Sequence, residues 1–119
     1  MDSYIDLDAW SIGLDLVAQV YSLIKNFPKE ELYGLSSQTR RASTSILLNI
    51  AEGFGRYTYK DKANKYIISR GECNEVEACL FIALRLDFIN AEQAELALQL
   101  TIQEKKVLSG LIASCRKFA

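Results

Sequence analysis

Apolar side chains recur along this chain at alternating intervals of three and four, and a single proline interrupts the pattern in 119 residues. That period belongs to an α-helix with one buried side. Leu7, Trp10, Leu14, Val17, Tyr21 and Ile24 form the first such stripe, and Leu16, Val20, Leu23 and Phe27 form a second beside it. Ser11, Asp15, Gln19, Ser22 and Asn26 take the opposite side. Two adjacent stripes make a wide apolar arc. One suits the interior of a helix bundle, and the second (Leu16, Val20, Leu23) suits a protein partner or another copy of the chain.

The punctuation gives four such helices. Asp6 or Asp8 is placed to cap the first, which ends before Pro28 because that proline disfavours helical geometry at Phe27. Pro28 to Tyr33 reads as a short helical turn closed by Gly34, after which Ser36 or Ser37 caps a second helix. This second helix runs to about Phe54, where Gly53 and Gly55 suit a C-terminal stop. A third spans from Tyr59 or Lys60 to Phe88 or Ile89, with Gly71 in its middle. A mid-helix glycine costs about 1 kcal/mol against alanine, so close packing is expected there. Asn90 followed by Gln93 resembles a capping box and opens a fourth helix. Leu98, Thr101, Leu108, Ile112 and Cys115 make one of its stripes, and Leu100, Val107, Leu111 and Phe118 the next. Short connections between long helices favour antiparallel neighbours. The expectation is an all-α, antiparallel up-down four-helix bundle, one domain over residues 1–119. A three-helix domain fits less well, because Pro28 and Asn90 divide the chain too clearly.

Several chemistries are excluded by what is missing. With no histidine, there is no Ser-His-Asp or Cys-His nucleophile and no Glu-x-x-His di-iron motif. Cys73, Cys79 and Cys115 are odd in number and lack CxxC spacing, which suits small buried hydrophobes rather than disulfides. Glu52, Glu75 and Glu77 are not placed as carboxylate pairs for a metal, and Gly53-Phe54-Gly55 lacks the lysine of a phosphate loop. We therefore expect no catalytic group, no metal and no cofactor; a carboxylate enzyme would require a pocket holding Glu52 or Glu77. No apolar run approaches the roughly 18 residues of a membrane span. The N-terminus is acidic rather than leader-like, so no membrane association is expected and the cytoplasm is the expected location.

The net charge of −1 conceals segregation. Residues 1–39 hold two basic against six acidic side chains, and residues 40–70 hold seven against two. Residues 72–104 then set Arg85 against seven acids, and residues 105–119 carry only cations. Such blocks suit either mutually attracting helices or a basic patch for an anionic partner. Two constellations follow. On the second helix Arg41, Ser45, Asn49, Glu52 and Arg56 fall on one face, which is either solvated and salt-bridged or touches a ligand. Glu52 has Arg56 within one turn. On the third helix Ala63, Ile67, Arg70, Asn74, Glu77, Phe81, Leu84 and Phe88 share a seam with polar groups in its middle. Arg70 and Glu77 then require partners on another helix or subunit. Around the second connection Arg56, Tyr57, Tyr59, Lys60, Lys62, Lys65 and Tyr66 interleave cations with rings. Phosphates attract the former and unpaired bases stack on the latter, although a plain positive helix end with Tyr66 in the core accounts for the same residues.

Phe27-Pro28-Lys29-Glu30-Glu31-Leu32-Tyr33-Gly34-Leu35 continues into Gln38-x-Arg40-Arg41-Ala42-x-x-Ser45-Ile46-x-x-Asn49-Ile50-Ala51-Glu52-Gly53-x-x-Arg56. This motif resembles the four helix bundle protein family, whose members include proteins encoded by intervening sequences within bacterial 23S ribosomal RNA genes. Gly71, Glu75-Val76-Glu77, Leu80 and Ala83-Leu84-Arg85-Leu86 match its third helix, and Leu108-Ser109-Gly110-Leu111-Ile112 its last. The resemblance spans about Leu7 to Lys117. It implies an up-down bundle, a homo-oligomer and in particular a pentamer, and kinship with the nucleic-acid-binding accessory protein of diversity-generating retroelements. This chain departs from the pattern at Ser69-Arg70 and Glu72 and lacks that accessory protein's basic excess. The leading expectation is a non-enzymatic oligomeric bundle associated with RNA or DNA. Arg40, Arg41, Arg56, Lys60, Lys62 and Lys65 would then contact phosphate, and Arg41, Ser45, Asn49, Glu52 and Glu77 would form a polar motif face. The alternative is a protein-binding scaffold with no nucleic-acid role.

Overall fold

A computed structural model describes residues 2–119. Four helices, α1 (Asp8–Ile24), α2 (Leu35–Gly55), α3 (Tyr59–Arg85) and α4 (Ala91–Lys117), are joined by short connections, with single 3-10 turns at Tyr4–Asp6 and Lys29–Glu31. α1 packs on α2 and α4, α3 packs on α2 and α4, and the α1 and α3 pair lies across the diagonal. This is the expected antiparallel bundle, with no strand among the described residues. At 45 × 25 × 21 Å it is about as long as its longest helices.

The helix ends show local chemistry at work. Asn90 and Gln93 close a reciprocal capping box at α4, and the Thr58 hydroxyl accepts from the Asp61 amide at α3. The other two starts differ from expectation. α1 begins after Leu7 with no side-chain cap, neither Asp6 nor Asp8 serving. α2 begins at Leu35, before both serines, and the Glu31 carboxylate accepts the Leu35 amide at 3.0 Å in their place. α3 stops at Arg85, short of Phe88, where Asp87 turns the chain at φ 59°.

The core rearranges two of the expected faces. Leu16, Val20 and Leu23 of α1 and Phe27 just beyond it are buried, whereas Leu14 and Tyr21 of the other stripe are exposed. Leu16, Val20 and Leu23 are thus interior and cannot be a docking face. The reason is the width of the arc: α1 sits in the groove between α2 and α4, and that groove takes the stripe centred on Leu16 and Val20. On α3 the buried line is Ala63, Tyr66, Ser69, Cys73, Val76, Leu80 and Ala83, one step round from the expected seam. Arg70, Asn74 and Glu77 therefore edge the core rather than enter it. α2 buries Ala42, Ser43, Ile46, Leu47 and Ile50, and all three cysteines are free and buried.

Two glycines exchange roles with expectation. A methyl at Gly71 would meet nothing within 4 Å, so no packing within the chain explains it. Gly53, read as a helix stop, is instead where α2 and α3 nearly touch: a Cβ there would lie 2.7 Å from the Tyr66 ring.

Candidate nucleic-acid interface

The six candidate cations do not form one patch. Arg40 and Arg41 sit in the second turn of α2, and Arg56 follows its last residue. At 1.5 Å per residue the two groups are separated by more than about 20 Å. Arg41 is spent on α3, reaching Glu72 at 3.3 Å and pairing more tightly with Glu75. That hydrogen bond with Arg41 holds the Glu75 carboxyl below its ordinary range. Burial, reinforced by Glu75, pushes the Glu72 carboxyl up.

Lys62 and Lys65 also have structural duties. The Lys62 ammonium donates to the Phe54 carbonyl at the end of α2 and sits 5.4 Å from the centre of the Phe54 ring. Lys65 holds Glu52 at 2.9 Å, and this pairing lowers the Glu52 pKa. Arg56, expected as the partner of Glu52, approaches it only to 3.9 Å. The polar face of α2 is therefore the α2–α3 edge. Within it Asn49 donates to the Ser45 carbonyl at 2.8 Å. Glu77 lies on the other edge of α3, where Lys105 of α4 bridges it and Asn74 at 3.2 Å each. Arg70 donates to Ser109 of α4, also at 3.2 Å. Both α3 side chains thus find the partners they need on α4 of the same chain. The surface depressions around Asp6 and Val107, Leu84 and Asn90, and Asp15 and Leu100 include neither Glu52 nor Glu77.

Part of what remains free gathers at one end of the bundle, while Lys25, Lys29 and Arg85, also exposed and without an ion pair among the described residues, stand at the other. Antiparallel packing brings the last turn of α4 beside the first turn of α3, and the Tyr59 and Phe118 rings meet there at 5.4 Å. Lys60 on α3 and Arg116 and Lys117 on α4 are exposed and form no ion pair among the described residues. Tyr57, in the α2–α3 connection, is 98% exposed. Sequence pattern alone selects Lys60 and Arg56 but leaves out Arg116 and Lys117. They are nearly 60 positions away in the chain, and only helix pairing brings them close. Asp6 and Asp8, at the start of α1, face the Val107 and Gly110 part of α4, which limits the cationic surface to the α3–α4 side.

The fold and its motif define a small helical-bundle protein with a cationic, aromatic-tipped end. The chain matches the family of 23S rRNA-intervening sequence proteins over residues 5–110, and it belongs to that family. A crystal structure of a protein of unknown function from the S23 ribosomal protein family of Bacteroides thetaiotaomicron is similar throughout. The two chains are 28% identical with a TM-score of 0.80, over 87% of this chain and 97% of that one. Among curated proteins, none matches. No helix among the described residues is long and apolar enough to cross a membrane.

Proposed function

We propose that the chain is a self-associating cytoplasmic bundle that binds the phosphate backbone of RNA at the end where α3 begins and α4 finishes. The observation that carries this reading is the coincidence of unpaired Lys60, Arg116 and Lys117 with the nearly fully exposed Tyr57. Cations neutralise phosphate, and an exposed ring stacks on an unpaired base. Arg56, held loosely, adds a fourth cation. Arg40 and Arg41 play a minor part, because Arg41 is committed to Glu72 and Glu75.

So small a set of phosphate-binding cations binds weakly, and repeating it around an assembly raises the affinity without new chemistry. The outer line of α3 supports self-association. Ile68, Gly71, Ala78 and Ile82 are all exposed along one helical stripe, and the open Gly71 lets a second copy approach closely. The pentamer implied by the family resemblance is the assembly we favour.

The test is a salt titration of single-stranded RNA binding. Each phosphate neutralised on a single strand contributes roughly 0.7 to the log–log salt slope. With Lys60, Arg116 and Lys117 reversed to glutamate, that slope should therefore fall by about 2. Wild-type affinity that ignores salt, or no binding even at low salt, defeats the RNA reading. Sedimentation of Ile68→Glu/Ile82→Glu tests assembly separately, since the wild type should be larger than the variant.

A further inference from the structure

One acidic side chain lies where no acid is expected. Glu104, in the middle of α4, is fully buried, and neither carboxyl oxygen has a hydrogen-bond partner. The groups around it supply none. From α1 comes Gly13, which has no side chain, and beside it stands Leu47 of α2. From α3 the facing titratable group is the buried Cys73 thiol. On α4 itself the Thr101 hydroxyl is already donated to the Ala97 carbonyl, and Lys105 turns to Glu77 and Asn74. No cation faces Glu104.

Gly13 is fitted to this carboxyl. A Cβ at Gly13 would stand 2.6 Å from the Glu104 Oε2 and 2.7 Å from the Leu47 Cδ2. A glycine inside a helix and an acid inside a core are each unfavourable, and here they meet. α1 is also the helix best able to yield. It is less extensively packed than α2, α3 or α4, and its start has no side-chain cap.

We propose that Glu104 and Gly13 form a proton-operated latch: with the carboxyl neutral, α1 closes over α4, and ionisation of the carboxyl drives α1 away so that the charge reaches water. Burial alone raises the Glu104 pKa to about 8, so the latch works at mildly alkaline pH. In a chain without histidine, this carboxyl takes the place of the usual sensor near neutrality. Opening exposes Leu16, Val20 and Leu23, the apolar stripe that α1 otherwise buries.

The chain's one tryptophan, Trp10, lies on α1, packed on Tyr4 with ring centres 4.7 Å apart. It reports the movement directly. Trp10 emission and far-ultraviolet circular dichroism of the full chain, followed from pH 6.5 to 9, should show a one-proton emission step near pH 8 with helicity largely kept. Glu104→Gln, which imitates the neutral acid, should abolish the step, and Glu104→Met provides a second neutral variant if the amide folds poorly. The α-amino group also titrates in this range, but both variants keep it. An emission step that persists in the two variants, no step in the wild type, or loss of the whole helical signal together with the emission change overturns the latch.

Discussion

The α2–α3 seam and the α1–α4 seam handle polar groups in opposite ways. Between α2 and α3 no buried side-chain polar atom is left without a partner among the described residues: the Ser69 hydroxyl donates to the Ile46 carbonyl at 2.8 Å in the interior. At the edge Arg41 spans Glu72 and Glu75, and Lys65 holds Glu52. Between α1 and α4 the buried carboxyl of Glu104 has no answer. Both seams use a glycine for close approach. Gly53 admits an aromatic ring, whereas Gly13 admits an acid. The lesson is that one bundle can hold a seam committed to one arrangement beside another left conditional on a proton.

The largest effect expected from this contrast is on stability against pH. An acid whose pKa rises from 4.5 to about 8 on folding favours the protonated native state. Below pH 4.5 it is neutral folded and unfolded, and contributes nothing to the difference. Between about 4.5 and 8 the unfolded chain loses its proton while the folded chain keeps it, so stability falls as pH rises. Above 8 the loss is complete and constant. The total is on the order of 5 kcal/mol, at 1.36 kcal/mol per unit. Chemical denaturation of Glu104→Gln should show a flatter pH profile than the wild type and a clear gain at pH 9. Parallel profiles would break the contrast between the seams.

Gly53→Ala comes next, with an expected loss of about 2 kcal/mol, in the range for overpacked cores. The new methyl would meet the Tyr66 ring at 2.7 Å and the Lys65 Cβ at 3.0 Å, and the latter cannot swing aside. Gly13→Ala should be milder, about 1 kcal/mol, because helix propensity offsets part of the clash and the atoms met are side-chain ends. Its cost should also depend on Glu104. In a Glu104→Ala background the same change should be neutral or stabilising, which a double-mutant cycle measures. Equal costs in both backgrounds would separate Gly13 from the carboxyl.

Much of this architecture was legible in the chain. Pro28, the Asn90 and Gln93 pair and the three-four spacing placed all four helices, because those signals act locally. Which of two adjacent stripes turns inward is not a local property. Leu16 and Leu14 are equally apolar, and only the groove between α2 and α4 chooses between them. The same limit explains Lys65 displacing Arg56 as the partner of Glu52, and Arg116 and Lys117 joining Lys60. Glu104 escaped for a different reason. It appears in the sequence as one more acid in a negative segment, although Thr101 and Leu108, a turn before and after it, lie on the buried stripe. An acid between two such positions was the available signal.

The smallest effect tests whether the well-paired edge matters as much as its appearance suggests. Arg41 and its two glutamates form the most conspicuous charged group on the molecule, yet the arginine side chain is 49% exposed. Water and salt screen such a pair, and exposed ion pairs contribute about 0.2–1 kcal/mol. Arg41→Ala should therefore cost about 0.5 kcal/mol at low ionic strength, partly through the Glu72 and Glu75 repulsion it uncovers. The loss should shrink in 1 M salt, where charges are screened within about 3 Å. Denaturation midpoints at the two salt concentrations measure both quantities. A loss above about 2 kcal/mol that salt does not relieve would mean that the α2–α3 edge behaves as interior. The difference between the seams would then lie in the sign of their electrostatics rather than in burial.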